Sequence, residues 1–344
     1  MTTRCPLPPY PTGWCCLGLS RELPVSAVVT RRVAGEDVVV FRTASGAVGV
    51  VEAHCAHLGA HLGHGGTVVG EALRCPFHGF CFDRSGSCVA TGYGTEPPAA
   101  ARLRTWPVRE VSGFIMTWRD AAGRPPLWEL PDDDGRGWSP LRTTSWTVRC
   151  HPQELVENTA DVGHLTGLHG YRAARVDDLK AAGHVLIARL TVHRDLGLFG
   201  LGGGRGIRAT FEVRLHGLGF STVDVSAGEL GVACRQFLLV TPEGPDQVRL
   251  RIAMRIRKTA AGSPLVRLTP RPVLDGLVSR LLFREFARDV AQDFGVWNHK
   301  RYLTAPALAR GDGPIGTYRS WARQFYPELA EAAAGDARAR LNLL

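Results

Sequence analysis

The sequence predicts an α+β chain of two domains, each built round an antiparallel sheet, and three observations carry that reading. Between Tyr10 and Trp118, short apolar runs alternate with Gly-rich turns. Between Asp120 and Pro140 the composition shifts to Ala-Ala-Gly-Arg-Pro-Pro and then Pro-Asp-Asp-Asp-Gly-Arg-Gly. From Val185 to Ile256 a second series of strand-like runs appears, with helical patterns on either side. Successive strands joined by turn signals imply antiparallel pairing, and a polar Pro/Gly-rich break marks a boundary. The expected domains are residues 1–128 and 129–344, and a chain of 344 residues is long enough for two separate cores.

Composition narrows the classes. With 44% hydrophobic and 21% charged residues the chain reads as globular. No run of about 18 apolar residues exists, so no membrane span is expected. The start, Met-Thr-Thr-Arg-Cys-Pro-Leu-Pro-Pro-Tyr, lacks the order of a secretory signal, and the nine cysteines form no disulfide-style framework. A cytoplasmic, reducing compartment is the expectation. The net charge of +9 comes from scattered arginines, with lysine only at Lys180, Lys258 and Lys300. That pattern makes no polyanion groove, so nucleic acid is not expected as a partner. A basic surface would suit an acidic electron-transfer protein.

In the first domain Val25–Thr30, Asp37–Arg42, Ala47–Val51, Val68–Leu73, Phe80–Asp83 and Gly113–Trp118 read as strands, with turns at Ala34-Gly35, Ser45-Gly46 and Ser85-Gly86. Between strands lie Cys55-Ala56-His57 and, after seventeen residues, Cys75-Pro76-Phe77-His78. A Cys₂His₂ set suits a structural zinc or a Rieske two-iron cluster, in which cysteines hold one iron and histidines the other. A zinc finger would continue into a short helix, whereas Gly79, Phe80 and Phe82 lead into another strand, which favours the cluster. His54, His61 and His64 lack ligand spacing and are expected in loop or capping roles. Cys81 and Cys88 read as small buried hydrophobes.

The second domain opens with a strand at Trp146–Cys150 and then Glu157-Asn-Thr-Ala-Asp-Val-Gly-His-Leu-Thr-Gly-Leu-His169. Asn158, Asp161 and His164 stand three apart and form one polar stripe on a helix, while His169 lies five beyond His164. That last step rotates by about 140° on an ideal helix. Both imidazoles face one point only where the helix unwinds, which Gly163, Gly167 and Gly170 permit. Two imidazoles and a carboxylate are ligands for a first-row metal, and with open positions they make the non-haem Fe(II) pattern. Arg172–Gly183 reads as a polar loop, and Gly197–Gly206 as a flexible turn. Strands are expected at Val185–Val192, Ile207–Leu215, Phe220–Val225, Cys234–Thr241 and Val248–Ile256. Between Leu274 and Leu303, Leu282, Phe286, Val290 and Trp297 share a helical face with Asp293 inside it. A carboxylate buried there needs a partner or a metal, which makes Asp293 the third iron ligand and Asp289 the runner-up.

Taken together, Cys55-Ala56-His57-Leu58-Gly59-Ala60-His61-Leu62, Cys75-Pro76-Phe77-His78-Gly79 and Asp293-Phe294-Gly295-Val296-Trp297-Asn298-His299-Lys300 resemble the Rieske non-haem iron oxygenases. The sequence looks closest to the branch of cholesterol 7-desaturases and 3-ketosteroid 9α-hydroxylases, and Asp312-Gly313-Pro314-Ile315, Arg319, Trp321 and Gln324-Phe325-Tyr326 extend the match. Ala56 departs from that branch's usual Pro, and the first residues lack the membrane segment of the animal desaturases, which suggests a soluble bacterial-type protein.

The resemblance implies an N-terminal antiparallel β Rieske domain joined to a C-terminal helix-grip catalytic domain. It implies a [2Fe-2S] cluster on Cys55, His57, Cys75 and His78, mononuclear Fe(II) on His164, His169 and Asp293, and O₂ as oxidant. NAD(P)H would act through a separate flavin reductase or ferredoxin. It further implies a homotrimer in which Asp161 links His164 of one chain to His78 of the next, with Asn158 near the iron. The expected activity is hydroxylation or desaturation of a hydrophobic substrate, a sterol or steroid. An oxygenase of aromatic or secondary-metabolite substrates is the alternative, and a non-enzymatic Rieske or zinc protein is the competing class.

Overall fold

The structure is a computed structural model that describes residues 4–194, 206–227, 231–259 and 268–329. Two compact units emerge. One is Gly13–Asp134; the other takes the described residues of Met1–Thr12 and Gly135–Leu344. The described residues before Gly13 thus pack with the C-terminal part of the chain. The Thr12 amide donates to the Phe325 carbonyl at 2.8 Å, and Arg4 Nε donates to the Lys300 carbonyl at 2.6 Å.

The Gly13–Asp134 unit holds ten strands: β1 (Gly13–Leu19), β2 (Val28–Val33), β3 (Glu36–Arg42), β4 (Val48–Glu52), β5 (Thr67–Val69), β6 (Ala72–Arg74), β7 (Cys81–Phe82), β8 (Cys88–Ala90), β9 (Val108–Val111) and β10 (Phe114–Arg119). They form antiparallel sheets in the orders β1-β10-β9, β2-β3-β4 and β5-β6-β7-β8. The β2–β3 turn has Ala34 and Gly35 both at positive φ, 50° and 81°, the mirror-image turn that matches strand twist. Val68–Leu73, expected as one strand, is a hairpin, because Gly70 at φ 58° turns the chain between β5 and β6. Val39, Phe41, Leu62, Leu73, Phe80 and Phe82 make one core cluster beneath the two Cys/His loops.

The other unit contains β11 (Arg142–Val148), β12 (Ala173–Ala182), β13 (Val185–Arg194), β14 (Ile207–His216), β15 (Phe220–Ala227), β16 (Val232–Gly244) and β17 (Gln247–Lys258). They form one antiparallel sheet in the order β11-β17-β16-β15-β14-β13-β12. Here the expected polar loop at Arg172–Gly183 is corrected: most of it is β12, paired with β13 from Ala173↔His193 to Ala182↔Val185. It is an edge strand, solvated along most of its length, so it lacks the apolar alternation that betrays a central strand. The segment Gly197–Gly206 falls outside the described residues except for its last glycine.

Short helices α1 (Pro152–Val156) and α2 (Gly163–Gly167) follow β11. The long helix α3 (Ser279–Gln292) leads through Asp293 into α4 (Phe294–Trp297), and α5 (Ile315–Ala322) comes last. A π-helical turn at Leu274–Val278 precedes α3. Leu274, Val278, Leu282, Phe283 and Phe286 pack on Met254 and Ile256 of β17 and on Val232 and Cys234 of β16. A helix laid across a curved antiparallel sheet in this way is a helix-grip arrangement, and it leaves a cavity on the helix side. Among the described residues no helix is long and apolar enough to cross a membrane.

Candidate metal centres

The first centre is made by two loops of one design. The Cys55 amide donates to the Ala60 carbonyl and the Gly59 amide to the Cys55 carbonyl, both at 2.9 Å. In the second loop Cys75 donates to Phe80 at 2.8 Å and Gly79 to Cys75 at 3.2 Å. These i+5 and i+4 bonds need a left-handed residue at the bend. Gly59 and Gly79 supply it at φ 75° and 70°, and a Cβ on Gly79 would stand 3.0 Å from the Gly92 Cα.

Cys55 and Cys75 are buried while His57 and His78 are half-buried, with ring centroids 4.7 Å apart. The His57 ring stacks on Phe80 at 4.3 Å, and its buried Nδ1 has no hydrogen-bond partner. Burial pushes the Cys55 thiol up to about 11, with the nearby Cys75 adding to the rise. An orphaned imidazole nitrogen beside two buried cysteine sulfurs is a donor set suited to a cation. The inner cysteines and outer histidines fit a [2Fe-2S] Rieske cluster.

The neighbouring histidines take local roles. His61 Nδ1 accepts from the Gly63 amide at 3.1 Å. Cys81 and Cys88 are half-buried rather than buried: they lie on the short strands β7 and β8 of a small four-stranded sheet, β8 at its edge.

The second centre depends on a helix that fails to continue. His151 caps α1: its Nδ1 accepts from the Gln153 amide at 3.2 Å, and Pro152 fits the first turn. After a 3₁₀ turn at Glu157–Thr159 the helix breaks at Ala160, and α2 restarts at Gly163. The segment at Gly313 packs on this break, where a Cβ would lie 2.2 Å from the Ala160 carbonyl oxygen. Beyond α2 the Leu168 amide bonds the His164 carbonyl at 2.8 Å and the His169 amide bonds it at 3.3 Å. This i,i+5 closure swings His169 back towards His164, to 5.1 Å between ring centroids. It is the unwinding that a five-residue spacing requires.

At this point His164, His169 and Asp293 converge, with one donor atom from each lying within 4.8 Å of the others. Asp293 is buried, and its Oδ2 stands 3.5 Å from His169 Nε2. Asn158 Nδ2 donates to the other oxygen at 3.1 Å. His169 Nδ1 donates to Gln292 Oε1 at 2.8 Å, which leaves Nε2 as the free lone pair. His164 Nδ1 contacts the Asp161 carbonyl, and its amide donates to Asp161 Oδ1 at 3.2 Å. Burial alone would raise the Asp161 carboxyl, but His164 outweighs it and holds it below the usual range. Burial likewise lowers the His169 imidazole, and bonds to Asp293 and Gln292 reverse the shift upward. Asp289 is not among the converging groups, because it forms a bidentate pair with Arg194, 2.8 Å on its longer arm.

Two residues escaped the sequence reading. Gln292 looks like any polar helix position until His169 is brought beside it. Glu157 is buried, paired with Arg319 through bonds of 2.5 and 3.0 Å, and 162 residues separate the partners.

The triad opens on a cavity of about 700 Å³. Its sheet wall is mainly apolar, with Leu190, Val192, Phe211, Val223, Leu238 and Met254 facing inward. Two imidazoles and one carboxylate, with room for further ligands beside an apolar cavity, fit a first-row metal such as Fe(II) with open coordination positions.

Comparison with known proteins gives a family match for each part of the chain. Residues 13–107 match the Rieske [2Fe-2S] domain family, and residues 117–326 match the 3-ketosteroid 9α-hydroxylase C-terminal domain family. A cholesterol 7-desaturase of Bombyx mori is 33% identical, over 93% of this chain and 70% of that protein. A probable 3-ketosteroid 9α-monooxygenase oxygenase component of Rhodococcus rhodochrous is 28% identical, over 94% of this chain and 81% of its own. Among solved structures, apo dicamba monooxygenase superposes with a TM-score of 0.71 at 19% identity, covering 94% of this chain and 99% of that one. That likeness concerns the fold.

Proposed function

Because the chain belongs to the Rieske non-haem iron oxygenases, with a [2Fe-2S] cluster, mononuclear iron and O₂ as its chemistry, we propose that it hydroxylates or desaturates a sterol or steroid. The observation that carries the substrate reading is the roughly 700 Å³ apolar cavity opening on His164, His169 and Asp293. Its volume and lining suit a rigid hydrocarbon with few polar groups. The curated relatives named for cholesterol and 3-ketosteroids support the same class.

In this reading Cys55, His57, Cys75 and His78 hold the cluster, and His164, His169 and Asp293 hold the iron. Iron on two imidazoles and a carboxylate supplies one-electron chemistry with O₂. The chain's own residues prepare that site. Asn158 fixes one Asp293 oxygen, Gln292 fixes the His169 tautomer, and the Asp161 carbonyl fixes that of His164. The apolar wall excludes water and holds the substrate carbon facing the triad. Asp161 also reaches His78 of a neighbouring subunit in a head-to-tail homotrimer, which its partly exposed carboxylate permits. A separate flavin reductase or ferredoxin delivers electrons from NAD(P)H, in a cytoplasm that keeps the ligand cysteines reduced.

The test is turnover by the holoenzyme with a ferredoxin reductase, NADH and O₂ against cholesterol, a 3-ketosteroid and an aromatic acid. The expected product is the sterol or steroid heavier by one oxygen or lighter by two hydrogens. Turnover of the aromatic acid alone would refute the substrate class.

A further inference from the structure

The polar side chains lining the large cavity are mostly committed to one another. Asn158 bonds Asp293, His169 bonds Gln292, Arg194 bonds Asp289 and Arg288 bonds Glu285. Thr159 lies next to Asn158 in the chain, on the segment that carries the metal ligands. On the sheet wall two polar side chains differ: Ser221 of β15 and Gln236 of β16 line the cavity, and among the described residues neither side chain has a protein hydrogen-bond partner.

Their positions are coupled by strand register. Ser221 pairs with Leu238 and Val223 with Gln236, so Ser221 and Gln236 are diagonal neighbours on one face. Such neighbours stand roughly 7–8 Å apart or less, within reach of one small ligand group. Around them the wall is hydrocarbon: Met254 is opposite Gln236 and Val213 is opposite Val223. An amide with no partner in an apolar wall is costly once water is displaced, and a ligand oxygen removes that cost.

We propose that Gln236, assisted by Ser221, anchors the single neutral oxygen of an otherwise apolar substrate. The proposal rests on the cavity being the substrate site, as argued above. An amide both donates and accepts, as does a hydroxyl, so the pair serves an alcohol or a ketone equally. It offers no charge to a carboxylate, and the one guanidinium nearest the triad on β13, Arg194, is neutralised by Asp289. The anchor therefore selects alcohols and ketones over acids and over plain hydrocarbons.

The test measures equilibrium binding to the holoenzyme of two matched pairs: cholesterol against cholest-5-ene, which lacks only the hydroxyl, and 2-naphthol against naphthalene. Wild type should prefer cholesterol by roughly tenfold, the scale of one hydrogen bond to a buried partner. Gln236→Leu should abolish the preference and leave cholest-5-ene binding unchanged, which also reports an intact fold; Ser221→Ala should reduce the preference in part. A preference that survives Gln236→Leu, or a variant that weakens both members equally, overturns the anchor. If the sterols fail to bind but a naphthol preference disappears in Gln236→Leu, the steroid reading falls and the anchor stands. Binding of no ligand by wild type, or no preference in either pair, overturns the anchor.

Discussion

Gln292 touches no metal donor atom directly, yet it decides which nitrogen of His169 carries the proton. With its Oε1 at 2.8 Å from Nδ1, the lone pair is left on Nε2, facing Asp293. Replacing Gln292 with Leu should weaken iron binding about 10- to 100-fold, the usual cost of losing such a partner. A titration of the apoprotein with Fe(II) reads this directly; unchanged affinity would show that the bond is incidental. Asp161 makes a different prediction, because its contacts to His164 include a backbone carbonyl that survives substitution. Asp161→Ala should retain both metals and lose most turnover. Wild-type turnover in that variant would contradict the proposed electron path through Asp161. Of these residues the metal-binding types were legible in the sequence, since Cys and His at fixed spacings carry their chemistry with them. Asp293 was legible because a carboxylate in an apolar stripe needs a reason. Gln292 was not, since an amide on a helix gains its role only from what the fold sets beside it.

Among the elements, α1 is held at its start by His151, which is 2% exposed. Its Nε2 lies 3.0 Å from the Pro8 carbonyl and donates to it, and its Nδ1 accepts from Gln153, so both nitrogens are occupied by the neutral form. Burial drives its pKa down from 6.5 to about 4. The unfolded chain binds that proton more readily, so this contribution to stability is complete above pH 6.5 and is lost as the pH falls towards 4. The loss is about 3 kcal/mol by linkage. Denaturant midpoints should fall across this window, with a shallower fall in His151→Asn; equal slopes would exclude His151 as the source.

The turn after α1 is fastened to α5 by Glu157 and Arg319, both largely buried. Arg319→Met should cost about 1.5–3 kcal/mol, because Lys300 at 3.9 Å remains as a second cation beside the carboxylate, and adding Glu157→Gln should recover part of it. A double variant no better than the single one would place the cost elsewhere. Central strands such as β13 and β17 announced themselves by apolar runs, whereas edge strand β12 hid behind charges that keep edges from pairing. The β5–β6 hairpin hid because only Gly70 and Glu71 interrupt the apolar residues from Val68 to Leu73.

At the scale of the whole molecule, two compact units carry two donor sets with different tasks. The β-rich unit offers buried cysteines and outward histidines for a cluster, and the helix-grip unit offers a triad beside an apolar cavity. The order of these parts along the chain was readable from composition and spacing. The assignment of residues before Gly13 to the catalytic unit was not, because it rests on contacts such as Thr12 to Phe325, more than three hundred positions away. The most direct test of the account is metal content measured side by side in wild type and Asp293→Ala. Wild type should hold about three irons per chain and no zinc, and the variant about two, with the visible spectrum of the cluster unchanged. Zinc in place of the cluster iron, or a third iron retained without Asp293, would contradict it.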